Sequence, residues 1–153
     1  SSGLHSNGYT LARAIIAKSK YTYFDPMPGK DSTIGEELLI PTRIYHEVVD
    51  LVKKCDVHGL AHITGSGLLK LRRITSLGFE ITDPLEPQPI FRFLQMLGKV
   101  DDAEMYRTFN MGMGLVVVVP REDVEMACQI MGPGSKVIGS IVKEGLKAGG
   151  LRF

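Results

Sequence analysis

The sequence HITGSGL, which begins at His62, combines side chains and glycines that suit the binding of an anion. It lies between a predicted strand and a predicted helix. Glycines such as Gly65 and Gly67 let the backbone approach a ligand, and N–H groups at a helix start favour a phosphate. Thr64 and Ser66 add hydroxyl donors, and His62 adds a charge or a proton relay. An ordinary capped turn beside a buried histidine explains the same residues equally well.

A second polar cluster, GLHSNGY, begins at Gly3 and places three polar side chains between two glycines. His5, Ser6 and Asn7 at the start of a helix are residues that an anion or a ribose would require. The simpler interpretation is that Ser6 or Asn7 caps the helix, which stabilises it by about 1 kcal/mol.

A third cluster, RTFNMGMG, begins at Arg107 and leads into an apolar strand. Arg107 could pair with a phosphate or a carboxylate through two hydrogen bonds. Asn110 could hold a bend, because asparagine tolerates left-handed backbone conformations. Gly112 and Gly114 allow a close approach or a bulge. A loop-to-strand transition with a structural arginine–acid pair is the alternative.

The composition argues against several classes of function. The chain has 18 basic and 17 acidic residues, so its charge gives no case for nucleic acid or an anionic membrane. Its longest apolar run, residues 115–119, is too short to span a bilayer. His46 and His58 have no neighbours at metal-ligand spacing, so we predict no metal site. Cys55 and Cys128 are predicted to be reduced thiols, which fits a cytoplasmic location.

The elements that position these clusters follow from periodicity and turn residues. Their order is strand–helix–strand, an insertion, then strand–helix–strand. This order predicts an α/β (or α+β) fold, with a mixed ferredoxin-like sheet of split βαβ order covered by helices. The predicted helices are 8–19, 42–55, 67–75, 89–98, 101–107 and 121–131, and the predicted strands are 57–63, 78–83, 114–120 and 136–143.

Six blocks of sequence, in order along the chain, closely resemble the C-terminal half of the aminoimidazole ribonucleotide synthetase (phosphoribosylformylglycinamidine cyclo-ligase) family. One departure is Ser66, where the family usually has the middle glycine of HITGGG. A serine adopts a positive φ less readily than a glycine, so the sequence does not determine the conformation of this loop. The blocks are GLHSNGY, GEELLIPTRIY, HGLAHITGSGL, PIFRFLQ, EMYRTFNMGMG and VIGSIV.

The resemblance implies a single C-terminal domain over residues 1–153, with an N-terminal ATP-binding domain absent from this chain. It implies ATP-dependent closure of the imidazole ring of formylglycinamidine ribonucleotide, with release of ADP and phosphate. ATP and Mg²⁺ would be held mainly by the N-terminal domain, and the full-length enzyme would be a homodimer. The sequence starts without Met and shows no signal peptide. We therefore expect part of a longer enzyme that is inactive alone.

The resemblance also implies which residues line the cleft between the two domains. His62 and His5 are expected to be catalytic. The expected substrate-binding residues are Ser6, Asn7, Thr64, Gly65, Ser66, Gly67, Arg107 and Asn110.

Two alternatives remain at this point. A paralogue of the selenophosphate synthetase, thiamine-monophosphate kinase or hydrogenase-maturation dehydratase type would share the fold and the use of ATP. Such paralogues tend to carry an acidic residue in the turn and lack RTFNMGMG. A domain of a different class would bind a phosphorylated ligand or a partner subunit without catalysis.

Overall fold

The computed structural model describes residues 1–148 and 150–153, which fall into two compact units. The helical unit comprises Ser1–Arg43, Ile63–Leu69 and Glu86–Gly114. The sheet unit comprises Ile44–His62, Lys70–Leu85 and Leu115–Phe153.

Over the described residues, the secondary structure mixes α-helices, short strands and two 3₁₀ helices. The 3₁₀ helices are Gly67–Arg73 and Arg121–Asp123. The α-helices are α1 Tyr9–Ala17, α2 Ile34–Leu39, α3 Val48–Lys54, α4 Pro89–Gly98, α5 Asp102–Thr108 and α6 Val124–Met131. The strands are β1 Gly59–His62, β2 Gly78–Ile81, β3 Leu115–Val118, β4 Gly139–Val142, β5 Leu146–Ala148 and β6 Leu151–Arg152.

The helical unit packs α1, α2, α4 and α5 around one apolar cluster. Thr33 caps α2 in a capping box with Glu36, and Pro89 occupies the first turn of α4. Because each helix turns its apolar stripe inward, the cluster draws residues from all four helices and from the turns between them. Its buried members are Leu4, Ala12, Ile15, Ile16, Met27, Ile34, Leu38, Ile90, Phe91, Phe93, Leu94, Met105, Phe109 and Met111.

The sheet unit contains two separate sheets. β1 and β3 form an antiparallel pair in which Gly59 lies opposite Val118 and His62 lies opposite Leu115. The other sheet has the strand order β4–β2–β5–β6, with β2 antiparallel to β4 and parallel to β5. A small apolar cluster joins Leu51 and Cys55 to Ala127 of α6. Both cysteines are free thiols, as predicted.

The α/β class is confirmed, and so are most of the predicted elements. Helix α4 has the predicted bounds, while α1 and α5 differ from theirs by one or two residues. The strands lie in two sheets and not in one continuous sheet, and β1 pairs with β3 in the antiparallel sense.

Two helix predictions were wrong in kind or in length. The helix that begins at Gly67 is a 3₁₀ helix. The helix expected over 42–55 is only α3, and residues 42–45 have no regular structure. The apolar periodicity of this segment extends over Ile44, but Ile44 is 81% exposed and only Leu51 is buried in α3. A periodic pattern identified the helix but not its first residue.

The β-branched run GLVVVVP, which lacks polar alternation, predicts a strand that is buried on both faces, and this prediction was wrong. Only Val116 is buried in β3, because this strand pairs with β1 in a two-stranded sheet. Strands β5 and β6 were missed, since they have three and two residues and carry too little pattern to recognise.

Candidate functional site

The turn that begins at Thr64 is closed by backbone hydrogen bonds within the helical unit. The Gly67 N–H donates to the Thr64 carbonyl at 2.9 Å, and the Leu69 N–H donates to the Ser66 carbonyl at 3.1 Å. Ser66 has a φ of 77°, a left-handed conformation that costs a residue with a Cβ about 1–2 kcal/mol. Serine therefore adopts the backbone conformation that favours a glycine.

The same turn keeps backbone donors that an anion requires. In the described part of the chain, the N–H groups of Gly65 and Ser66 have no hydrogen-bond acceptor. The Ser66 side chain is exposed, and Thr64 is half-buried. The turn therefore presents two backbone donors and a serine hydroxyl, the groups that commonly bind phosphate oxygens.

Close packing fixes this turn against the end of α5. A Cβ on Gly67 would overlap the carbonyl oxygen of Tyr106 and would lie 2.9 Å from the carbonyl oxygen of Phe109. Gly67 also has a positive φ of 48°. Only glycine satisfies both conditions, so this glycine sets the distance between the turn and α5.

The GLHSNGY segment approaches the same place from the start of α1. The prediction that Ser6 or Asn7 caps this helix was wrong, because Gly8 is the N-cap and no side chain caps it. The Oδ1 atom of Asn7 lies 3.2 Å from the position that a Cβ on Gly65 would occupy. Ser6 is exposed. Neither the Ser6 nor the Asn7 side chain therefore caps α1.

Two further contacts shape this segment. A Cβ on Gly8 would overlap the ring of Phe109, so the start of α1 rests directly on that ring. His5 is buried, has a φ of 62°, and accepts a hydrogen bond from the Ser2 N–H at its Nε2 atom over 3.1 Å. Because Nε2 is an acceptor, the ring is neutral and carries its proton on Nδ1.

The RTFNMGMG segment contributes a buried amide. Asn110 is 4% exposed, and its Nδ2 donates to the Gly3 carbonyl at 2.8 Å. Its Oδ1 accepts from the Gly112 N–H at 3.0 Å and from the Ser1 hydroxyl at 2.7 Å. Asn110 does hold a bend, as expected, but the left-handed residue is Met111, with a φ of 46°.

The three clusters therefore meet within the helical unit. Asn7 reaches Gly65, Gly67 packs on the end of α5, and Asn110 binds the backbone of Gly3. Sequence reasoning missed Phe109 as the residue against which two of the clusters pack. Its position between Arg107 and Asn110 in the chain was the available signal.

Two predicted site residues have exposed side chains. Arg107 is exposed in the last turn of α5. His62 belongs to the sheet unit, where it ends β1 with an exposed side chain and makes an edge contact with Tyr45 at 5.7 Å between ring centroids. Partial desolvation, followed by the charge of Lys70, lowers the pKa of His62 below its ordinary value. The imidazole is therefore neutral at pH 7 and able to accept a proton.

The residues described by the structure include no group of three histidine, cysteine, aspartate or glutamate side chains that could hold a metal ion. Within the same ranges, no helix has both the length and the apolar character that a membrane crossing requires.

Comparison with known proteins identifies relatives that match most of the chain. A family model described as "AIR synthase related protein, C-terminal domain" matches residues 1–150. Phosphoribosylformylglycinamidine cyclo-ligase of Methanosarcina acetivorans is 62% identical over 148 residues, which are 96% of this chain and 44% of the relative. The Methanosarcina barkeri protein of the same name is 61% identical with the same coverage. A chloroplastic protein of that name from Arabidopsis thaliana is 46% identical over 127 residues, which are 80% of this chain and 33% of the relative. The chain thus spans less than half the length of these relatives.

Proposed function

The chain belongs to the AIR synthase related family, in which it corresponds to the C-terminal domain, and we propose that it is the C-terminal part of a phosphoribosylformylglycinamidine cyclo-ligase. The convergence of three polar turns in the helical unit is the observation that supports a ligand site. The names of the relatives favour a cyclo-ligase over the selenophosphate synthetase and thiamine-monophosphate kinase types.

The proposed reaction is the closure of the imidazole ring that forms aminoimidazole ribonucleotide. ATP activates the formyl amide oxygen of formylglycinamidine ribonucleotide, and an internal nitrogen attacks the activated carbon. The oxygen leaves with the transferred phosphoryl group as phosphate, and ADP is the second product. Donors held in place before the reaction would stabilise the charge that develops on the substrate.

Within this proposal, the turn from Thr64 to Gly67 holds a phosphate of the substrate or of the nucleotide. Its two backbone donors and the Ser66 hydroxyl supply the contacts, and Asn7 lies next to Gly65 as a further polar group. Ser6 is placed on the exposed side of the neighbouring turn.

The two histidines receive different roles. His62 would orient or stabilise the activated amide, for which its neutral ring can donate or accept a hydrogen bond. His5 would act from within the adjoining turn, where its Nε2 is engaged by the Ser2 N–H. Arg107 would bind an anion from the exposed end of α5.

ATP and Mg²⁺ are assigned mainly to a preceding N-terminal ATP-binding domain. The described residues of this chain lack a donor cluster for a divalent cation, so no step of the chemistry is assigned to a metal held here. We propose a homodimer for the complete enzyme, a cytoplasmic location, and an inactive isolated chain. By "the complete enzyme" we mean this chain together with that N-terminal domain.

The test is a ring-closure assay on a hybrid protein. This chain replaces the matching 148-residue segment of the Methanosarcina acetivorans relative, and ATP-dependent formation of aminoimidazole ribonucleotide is measured. We expect kcat/KM within about tenfold of the parent enzyme, a change under 1.4 kcal/mol on the transition-state scale. A folded hybrid without activity would refute the proposal, as would turnover by the isolated chain.

A further inference from the structure

The end of α5 contacts both of the other clusters in the helical unit. The carbonyl oxygens of Tyr106 and Phe109 lie against Gly67, and the ring of Phe109 lies against Gly8. The side chain of Asn110 then binds the carbonyl of Gly3. Residues 106–110, which we call the platform, thus contact both of the turns that are proposed to face the ligand.

The Asn110 amide is the polar part of this platform. One end of the amide donates to Gly3, 107 residues away in the chain, and the other end accepts from Gly112. The side chain is almost entirely buried, so it has little surface to offer to a ligand. Its hydrogen bonds therefore act on the backbone of the GLHSNGY segment.

The geometry points to Asn110 as a positioning residue that holds the GLHSNGY segment, and with it Asn7, beside the turn at Gly65. This inference rests on the proposed function and changes one part of it. Asn110 acts on the substrate through Gly3–Asn7 and does not contact the substrate itself.

This role has a specific kinetic consequence. If Asn110 fixes Gly3, its loss lets residues 3–7 move relative to the 64–67 turn. The ribonucleotide is then bound in a less favourable position, and its KM rises. The KM for ATP stays unchanged, because the nucleotide is assigned mainly to the other domain.

The experiment uses Asn110→Leu in the complete enzyme. Leucine has a similar shape, but it can neither donate to the Gly3 carbonyl nor accept from the Gly112 N–H. Ile16→Val is the matched control, because it removes one buried methyl group of the same unit.

We expect Asn110→Leu to raise the KM for the ribonucleotide by about tenfold or more, with the KM for ATP within about threefold. Amide hydrogen exchange of residues 5–8 should also accelerate in this variant and not in Ile16→Val. A merely structural role would lower the active fraction in both variants and leave both KM values unchanged.

The possible failures are distinguishable. An active wild-type enzyme whose ribonucleotide KM is unaffected by Asn110→Leu would overturn the positioning role and leave the proposed function intact. A wild-type enzyme without ring closure would overturn the proposed function and this inference together.

Discussion

The helical unit and the sheet unit differ in how their functional segments are held. In the helical unit, glycines at positions 8 and 67 contact the Phe109 ring and neighbouring carbonyl groups, and Asn110 adds a buried hydrogen bond. In the sheet unit, β3 is the most apolar strand, yet it has one buried residue and a single partner strand. Apolar content therefore did not identify the region whose backbone is most closely packed. The small and polar residues of the helical unit did identify it.

The comparison predicts a large difference between two truncations. Phe109→Ala should destabilise the chain by about 4 kcal/mol, because it removes a fully buried ring on which the start of α1 rests. Val118→Ala in β3 should cost about 1 kcal/mol, because this side chain is only half-buried. Urea unfolding of both variants measures the two values. Equal losses would contradict the contrast between the units.

Two glycines with positive φ provide a sharper test. Gly67→Ala should cost about 3 kcal/mol, because its Cβ would overlap a backbone carbonyl that cannot move away cheaply. Gly145→Ala in the sheet unit should cost only about 1 kcal/mol, since nothing lies within 4 Å of its Cβ and only the backbone conformation is strained. The same urea titration compares them. If the two alanines proved equally costly, the close docking of the 64–67 turn on α5 would be wrong.

A smaller gain is expected where serine occupies a left-handed position. Ser66→Gly should stabilise the chain by about 0.5 kcal/mol, because relief of backbone strain slightly exceeds the entropy cost of glycine. Ser76→Gly is the control, since it is an exposed serine of the sheet unit and should be mildly destabilising. Thermal unfolding distinguishes the two signs. A loss of stability in Ser66→Gly would argue against the left-handed turn.

The smallest effect concerns the protonation of His62. Its lowered pKa keeps the ring neutral, so we expect kcat/KM of the complete enzyme to fall on the acid side only below the ordinary pKa of imidazole. Lys70→Gln removes the second cause of the lowering, so the acid limb should move towards higher pH. A pH profile from about pH 5 to 8 measures this limb. Lys53→Gln, on exposed α3, should leave the limb unmoved, and an unchanged limb in Lys70→Gln would exclude His62 as the titrating group.

Much of the fold could be predicted from local signals. Pro89 marks the start of α4, and the pattern of apolar residues gives its length. The first residue of α3 could not be predicted, because Ile44 continues the helical pattern although it is exposed and outside the helix. Strand pairing was also inaccessible, since it depends on contacts between residues far apart in the chain.

The candidate site likewise combines local features that the sequence predicts with long-range contacts that it does not predict. Three clusters of glycines and polar residues were visible in the sequence, but their convergence depends on long-range contacts such as that between Asn110 and Gly3. The capping prediction for Ser6 and Asn7 failed, because Gly8 provides the left-handed start of α1 without a side-chain cap. A local motif predicts which residues are special, and packing decides what they contact.

The most direct test of the central claim is the introduction of a negative charge in the 64–67 turn. Ser66→Asp keeps an exposed polar residue that tolerates the left-handed conformation, so the fold should be retained. If the turn binds a phosphate, the new carboxylate should raise the KM of the complete enzyme for the phosphate-bearing ligand of this turn, the ribonucleotide or ATP, by at least about tenfold. Ser76→Asp, at an exposed site in the sheet unit, should change neither KM. If both KM values are unchanged in a folded Ser66→Asp enzyme, the turn does not hold a phosphate and the account is wrong.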